Sequence, residues 1–378
     1  MKLMLNFLWT RTRRDRAGIR RNARRRVGCV ETLEGRRLLS VTEVTLPTDS
    51  SSHSIATGAD GDIWFTLDAD DKIGRLDPTT GGVTEYPVPD PLSPGDQTGD
   101  TPAGILAGPD GNLYFMFYGH GAPGARFANS DEFIDRINPQ TAAISSLALP
   151  KPIINASLGS HDAVGPNGDL YFSAGNLILQ LNPWSGAMKT IKLPDQRAID
   201  PSLAFGANNE LYVTYGEAAA GTYYFARYNL NTRAFKRQFV PDKHDPTGSM
   251  VEGPDGNIYF LQYGDRLATH LTQVDEYNSS TRAFTEYPVN FSGGSSQTEF
   301  DYGGIIVAPA GNIDFSDPFG EAIGELSLST HAITETKMPA GVRQPDGLAI
   351  GPDQDLWFSE DGLDAGQIGR ISPGNDIA

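Results

Sequence analysis

GPDGNLYF, residues 108–115, decides the fold, because the chain repeats it in variant form seven times. The other copies are GADGDIWF at 58, GPNGDLYF at 165, GANNELYV at 206, GPDGNIYF at 253, APAGNIDF at 308 and GPDQDLWF at 351. Their starts lie 41 to 57 residues apart. Each copy sets apolar positions around a tight turn of Gly, Asp and Asn, which is a hairpin signal.

A second phrase follows each core, a strand, a turn and another strand. It first appears as IGRLDPTTGGVTEYPVP, from Ile73 to Pro89. The matching spans are Ile134 to Pro150, Ile178 to Pro194, Phe225 to Pro241, Val274 to Asn290 and Ile323 to Pro339, the last residue of each lying 16 positions after the first. The seventh copy opens as IGRISP at 368 and lacks its second strand. That strand stands instead before the first repeat, as VTEVTLP at 41–47. Four strands per repeat at this period indicate propeller blades. The expected fold is all-β: one seven-bladed β-propeller over 41–378, built of four-stranded antiparallel blades. The N-terminal strand 41–47 completes blade seven. Closing the ring removes two exposed sheet edges, whereas a linear solenoid would need caps.

The constant spans leave length variation to two connections, between the second and third strands and between blades. In an up-and-down blade both emerge on one face, which marks it as the expected binding face. The longest such segments are 90–104, 118–133 and 290–304.

Composition agrees with short strands and turns: of 378 residues, 42 are Gly, 26 are Pro and 10% are aromatic. No apolar run approaches the roughly eighteen residues of a membrane span. Twelve basic and three acidic residues give the first forty positions a net +9, so 41–378 carries −26 of the total −17. So acidic a domain repels nucleic acid and anionic lipid. The single cysteine, Cys29, precedes the repeats, so the propeller has no disulfide and no thiolate metal site. LEGRRLLS at 33–40 resembles the Leu-Glu-Pro-Arg-x-Leu-Leu-Ser motif at the N-termini of secreted bacterial proteins, with Gly35 in place of proline. The resemblance implies that 1–40 is a basic export leader processed near Ser40, and that the protein is secreted or held at the cell surface.

The repeat phrases resemble the streptogramin B (virginiamycin B) lyases across essentially all of 41–378. That family opens a cyclic depsipeptide by eliminating across its ester, with a histidine as base and a magnesium ion held by carboxylates. The chemistry suits those groups: imidazole accepts a proton near neutral pH, and hard magnesium prefers oxygen. Matched residue by residue, the family's blade-one tyrosine falls on His53 and its blade-six histidine on Gly303. Its catalytic histidine falls on Asp346, and the glutamate two positions earlier falls on Gln344. Only the glutamate after the blade-seven Trp-Phe is kept, as Glu360. Tyr302 or Asp301 stands near the lost blade-six histidine.

Candidate residues follow from these matches. Glu360, Asp346 and His53 are the catalytic candidates. Glu360, Asp346 and Asp317 are candidate ligands for Mg2+ or Ca2+, against the alternative of a hydrated polar channel mouth with no ion. Gln344, Tyr302, Asp317 and His161, with the aromatics Tyr118, Tyr215 and Tyr263, are ligand-binding candidates; aromatics around a concave face suit sugars or apolar peptides, or else pack beneath the loops. His161–Asp162 could pair a base with its orienter. Asp314, where the repeat has an aromatic, reads as a satisfied buried polar group or a strand irregularity. No serine-nucleophile elbow, phosphate-binding loop or zinc spacing is present. The expectation is an exported, monomeric binding propeller for a small molecule, glycan or protein, with the lyase site eroded. The alternative is a lyase of the streptogramin type.

Overall fold

The computed structural model describes residues 39–47, 52–67, 72–89, 101–118, 133–150, 162–195, 198–217, 222–240, 246, 248–263, 271–289, 303–318, 320–339, 342, 344–360 and 366–373. Among them lie twenty-eight strands in seven four-stranded antiparallel sheets and no helix. Blade one is β2 (Ile55–Thr57), β3 (Ile63–Leu67), β4 (Lys72–Leu76) and β5 (Val83–Pro87). Blade two is β6 (Thr101–Ala107), β7 (Leu113–Tyr118), β8 (Phe133–Ile137) and β9 (Ile144–Ala148). Blade three is β10 (Ala163–Val164), β11 (Leu170–Ala174), β12 (Leu177–Leu181) and β13 (Met188–Lys192). Blade four is β14 (Ala198–Phe205), β15 (Glu210–Glu217), β16 (Thr222–Asn229) and β17 (Ala234–Phe239). Blade five is β18 (Met250–Glu252), β19 (Ile258–Tyr263), β20 (Leu271–Tyr277) and β21 (Phe284–Pro288). Blade six is β22 (Ile305–Val307), β23 (Ile313–Asp317), β24 (Ala322–Leu326) and β25 (Ile333–Lys337).

Blade seven is β26 (Pro345–Ile350), β27 (Leu356–Glu360), β28 (Gln367–Pro373) and, as its outermost strand, β1 (Leu39–Thr45). The closing strand pairs antiparallel with β28, Val41 opposite Ile371 and Val44 opposite Ile368. It begins at Leu39, two residues before the expected start, so the end of the basic segment joins the ladder. Val41 packs toward blade six and Val44 toward blade one.

The core phrase builds the first hairpin of every blade. The Gly58 N–H donates to the Asp62 carbonyl at 2.8 Å, and the Gly61 N–H donates back to the Gly58 carbonyl at 3.0 Å. The fourth residue of the phrase has positive φ in all seven blades: Gly61, Gly111, Gly168, Asn209, Gly256, Gly311 and Gln354. This left-handed position explains the recurring glycine, which meets no Cβ penalty there. Asn209 and Gln354 hold the same conformation with a side chain.

Between blades lie seven apolar clusters, one per seam. Six receive a large ring from the second strand of the preceding blade: Trp64, Tyr114, Tyr171, Tyr212, Tyr259 or Trp357. At the seam of blades six and seven the matching residue is Asp314. Its strand is regularly paired, and one carboxyl oxygen, Oδ1, is buried without a hydrogen-bond partner. It is therefore neither a satisfied polar group nor a strand irregularity.

Candidate functional site

His53, Gly303 and Asp346 hold equivalent places at the start of the inner strands of blades one, six and seven, each five positions before the core phrase. Across the closing seam, His53 Nδ1 and Asp346 Oδ2 lie 3.2 Å apart. His53 keeps 31% of its side chain exposed, while Asp346 keeps 10%. With Asp346 ionised, Nδ1 is the donor and Nε2 carries the imidazole lone pair. Inner-strand pairing is irregular between Pro345 and Leu348, so Asp346 and Gly347 stand out of the regular ladder. Such a bulge re-aims side chains beside functional sites.

A main-chain belt fixes these residues. The Gly347 N–H reaches the His53 carbonyl at 3.2 Å, and the Gly304 N–H reaches the Asp346 carbonyl at 3.0 Å. Two serines on second strands reinforce each step. Ser359 Oγ accepts from the Gly347 N–H and donates to the His53 carbonyl, both at 2.9 Å. Ser316 Oγ accepts from the Gly304 N–H at 2.7 Å and donates to the Asp346 carbonyl at 2.5 Å. Sequence reasoning passed over both. The available signal was the hydroxyl that recurs directly after the core phrase: Thr66, Ser173, Thr214, Ser316 and Ser359.

Gly303 shows why the blade-six histidine cannot simply be put back. A Cβ at this position would lie 2.3 Å from the Ser316 carbonyl oxygen and 2.7 Å from its Oγ. Backbone, not a movable side chain, blocks it. The Gly303 N–H instead donates to the Tyr263 hydroxyl at 2.6 Å.

The three metal candidates are not assembled. On β27, Leu356, Phe358 and Glu360 share one side, and Phe358 packs in the seam with blade six. On β23, Ile313, Phe315 and Asp317 share one side, and Phe315 packs in the seam with blade five. Strand alternation thus turns Glu360 and Asp317 toward different seams, while Asp346 turns to His53. All three are buried. Among the described residues no three His, Cys, Asp or Glu side chains converge closely enough to hold a metal ion. A hard divalent cation that takes most of its ligands from protein oxygens does not fit this donor arrangement.

The remaining candidates separate. Tyr263 and Tyr215 are ring walls rather than stacking platforms: both are buried, and the Tyr215 hydroxyl donates to Asp195 at 2.8 Å. Gln344 is partly buried just before β26, with φ 43°. Tyr118 ends β7, but its side chain, like all of His161 and Tyr302, lies outside the described residues. Asp162 accepts the Ser173 N–H at 3.1 Å. In blade six the matching donor, the Ser316 N–H, uses a main-chain carbonyl, that of Gly304. Asp162 thus replaces a ladder acceptor, and burial pushes its carboxyl well above the usual range.

No family model matches the chain, and no curated protein does. Solved structures do. A catalytically inactive virginiamycin B lyase from Staphylococcus aureus, solved with quinupristin, superposes with a TM-score of 0.66 at 20% identity, covering 88% of this chain and 99% of that one. A streptogramin B lyase gives the same score and identity, over 88% and 97%. The extracellular domain of a putative hybrid two component system from B. thetaiotaomicron scores 0.62 at 14% identity, over 86% of this chain and 40% of that one. The likeness is one of fold. It places this propeller among structures with several different roles, so function rests on the site itself.

Proposed function

We propose that the chain is an exported binding propeller that seats a ligand at the channel mouth of blades six, seven and one, and does not run the streptogramin elimination. The observation that carries this is Gly303, where the backbone of blade six fills the space a histidine would need. The second histidine place holds Asp346, whose carboxyl is engaged with His53. Among the described residues this leaves the buried Asp346 carboxyl beside the partly exposed imidazole of His53. That suits holding a small molecule or a peptide group by hydrogen bonds. Export is supported by the leader's resemblance to a secretion motif and by the likeness to an extracellular bacterial domain.

The His53–Asp346 pair supports a second reading. A histidine oriented by a carboxylate is a competent proton acceptor, so a divergent lyase could use His53 in place of the lost base. One experiment separates the two. The purified chain is incubated with a streptogramin B and magnesium, and the depsipeptide is followed by mass spectrometry. Intact depsipeptide is expected. Ring-opened product that disappears in His53→Ala and Glu360→Gln would reject the binding reading in favour of the lyase.

A further inference from the structure

We propose that the outer seam of blades three and four, away from the channel mouth, is a binding site for an anionic polysaccharide, one bearing uronate groups. The fourth strands carry the first observation. Their net charges in blades one to seven are −1, 0, +2, +2, −1, 0 and −1. All of the net positive charge sits on two neighbours: Lys189 and Lys192 on β13, Lys236 and Arg237 on β17. All four are exposed. Lys189 and Arg237 lie on the faces of their strands turned to the shared seam, and Lys192 and Lys236 on the opposite faces, a basic stripe across two neighbouring outer strands on a domain of charge −26. Screening confines the surrounding acidity to about 8–10 Å at ordinary ionic strength, so a ligand in contact feels the stripe.

The second observation is a stack of rings ending in solvent. Tyr215, Tyr224 and Phe239 lie on adjacent strands, with centroids 5.4 Å and then 5.3 Å apart. Tyr215 is fully buried, and Phe239 is 68% exposed. The inner rings hold Phe239 in place, so the outermost face is offered without an ordering cost. Arg237 lies 4.7 Å over the Tyr224 ring and is paired with Asp195, which also takes the Tyr215 hydroxyl proton in a hydrogen bond. Alternation sets Arg237 and Phe239 on the side of β17 where Phe235 packs into this seam. Lys189 shares the side of Ile191, which packs into it from β13.

A preorganised ring beside a guanidinium–carboxylate pair suits a pyranose: the apolar sugar face lies on Phe239 and the hydroxyls meet Asp195 and Arg237. Lys189, on the same seam, selects for carboxylates on the polymer. An acidic protein would use the charges but not the rigid ring, and bare electrostatics would use neither geometry nor ring.

Affinity electrophoresis of the full chain tests this, with polygalacturonate, neutral dextran or poly-glutamate cast in the gel. The expected result is retardation by polygalacturonate, weakened by 0.5 M salt, and no retardation by dextran. Phe239→Ala and Lys189→Glu should each weaken it at least tenfold, with circular dichroism unchanged. No retardation at low salt, or equal retardation of Phe239→Ala, would overturn the proposal. Equal retardation by poly-glutamate would reduce the surface to charge alone and also overturn it. Because these residues lie outside the channel mouth, failure here leaves the mouth reading intact.

Discussion

Blades one and six fill the same four places with opposite chemistry. In blade one, Asp60, Asp62, Trp64 and Arg75 form a closed set. The Trp64 Nε1–H donates to Asp60 at 3.2 Å, and Arg75 pairs with both aspartates while lying 5.4 Å over the indole. Blade seven repeats it with Asp353, Asp355, Trp357 and Arg370. In blade six the places hold Ala310, Asn312, Asp314 and Glu325. The turn acceptor, the ring and the cation have all gone together, and two acids stand opposite each other on β23 and β24. Among the described residues, the seam such a ring would fill keeps five buried apolar residues, the smallest of the seven clusters. Blade five keeps Asp255 and Tyr259 with Glu276 at the cation's place, so the turn acceptor and the ring are the members that depend on each other.

The largest expected effect comes from deleting a ring where the set is intact. Trp64→Ala should cost about 3–5 kcal/mol, the range for emptying an aromatic site. Asp314→Ala should cost less than about 1 kcal/mol, because it removes a carboxyl whose burial is unfavourable. Urea unfolding of both variants checks the contrast. Equal losses would mean that the two seams contribute alike and the comparison has no energetic content.

Next in size is a pH effect confined to blade six. Burial first, and the Glu325 charge second, push the Asp314 carboxyl up to about 7. A raised carboxyl keeps its proton in the folded state after the unfolded chain has released it near pH 4. Its contribution is therefore complete below about pH 4 and is lost as pH rises through about 7. The loss should be on the order of 2–4 kcal/mol. Melting temperature should fall from pH 5 to pH 8 in the parent chain. Asp314→Asn should flatten that fall, and identical slopes would show that Asp314 is not the titrating group.

The ring count and its closure were legible in the sequence because both are properties of repetition. Seven Gly-turn phrases and six complete outer strands leave one strand short, and VTEVTLP fits the vacancy. The site was only half legible. Positions 53, 303 and 346 could be matched by register, and the His53–Asp346 contact follows from their equivalence across the closing seam. The sequence could not show that Glu360 and Asp317 turn to different seams, because that depends on strand parity relative to packed neighbours. Nor could it show that Ser316 crowds position 303, since the clash is between an added Cβ and a main-chain carbonyl brought close by sheet pairing. Asp314 was visible as an oddity, but its meaning needed Ala310 and Glu325 beside it.

Grafting the blade-two set, Asp110, Asn112, Tyr114 and Arg136, into blade six, which already has Asn312, should sharpen the comparison with a smaller effect. Ala310→Asp, Asp314→Tyr and Glu325→Arg together should raise stability by about 1–2 kcal/mol. The added ring brings burial and a hydrogen bond, less the strain of enlarging a seam already closed around a smaller residue. Asp314→Tyr alone should gain less, because its hydroxyl would lack the turn carboxylate that Tyr114 and Tyr259 use. Unfolding curves for single and triple variants check the coupling; additive effects would deny that the turn acceptor and the ring depend on each other.

The smallest expected effect is that of divalent cations. A cation could in principle stand in for the missing guanidinium between Asp314 and Glu325, or sit among the acids of the channel mouth. Binding at a hundred times the dissociation constant would stabilise the fold by about 2.7 kcal/mol. Two arguments predict otherwise. Near neutral pH, Asp314 still holds its proton for much of the time, and a protonated carboxyl is a poor ligand for a hard ion. Two carboxyls also fall well short of the six or more oxygens that calcium takes. At the mouth, the candidate acids turn to different seams. Millimolar calcium or magnesium at pH 7 should therefore shift the melting temperature by less than about one degree. The variants assign any larger rise. Removal by Asp314→Asn would make the blade-six pair a cation site and reverse its reading as a defect of the repeat. Removal by Glu360→Gln would instead place the ion at the mouth and return the metal-assisted lyase to consideration.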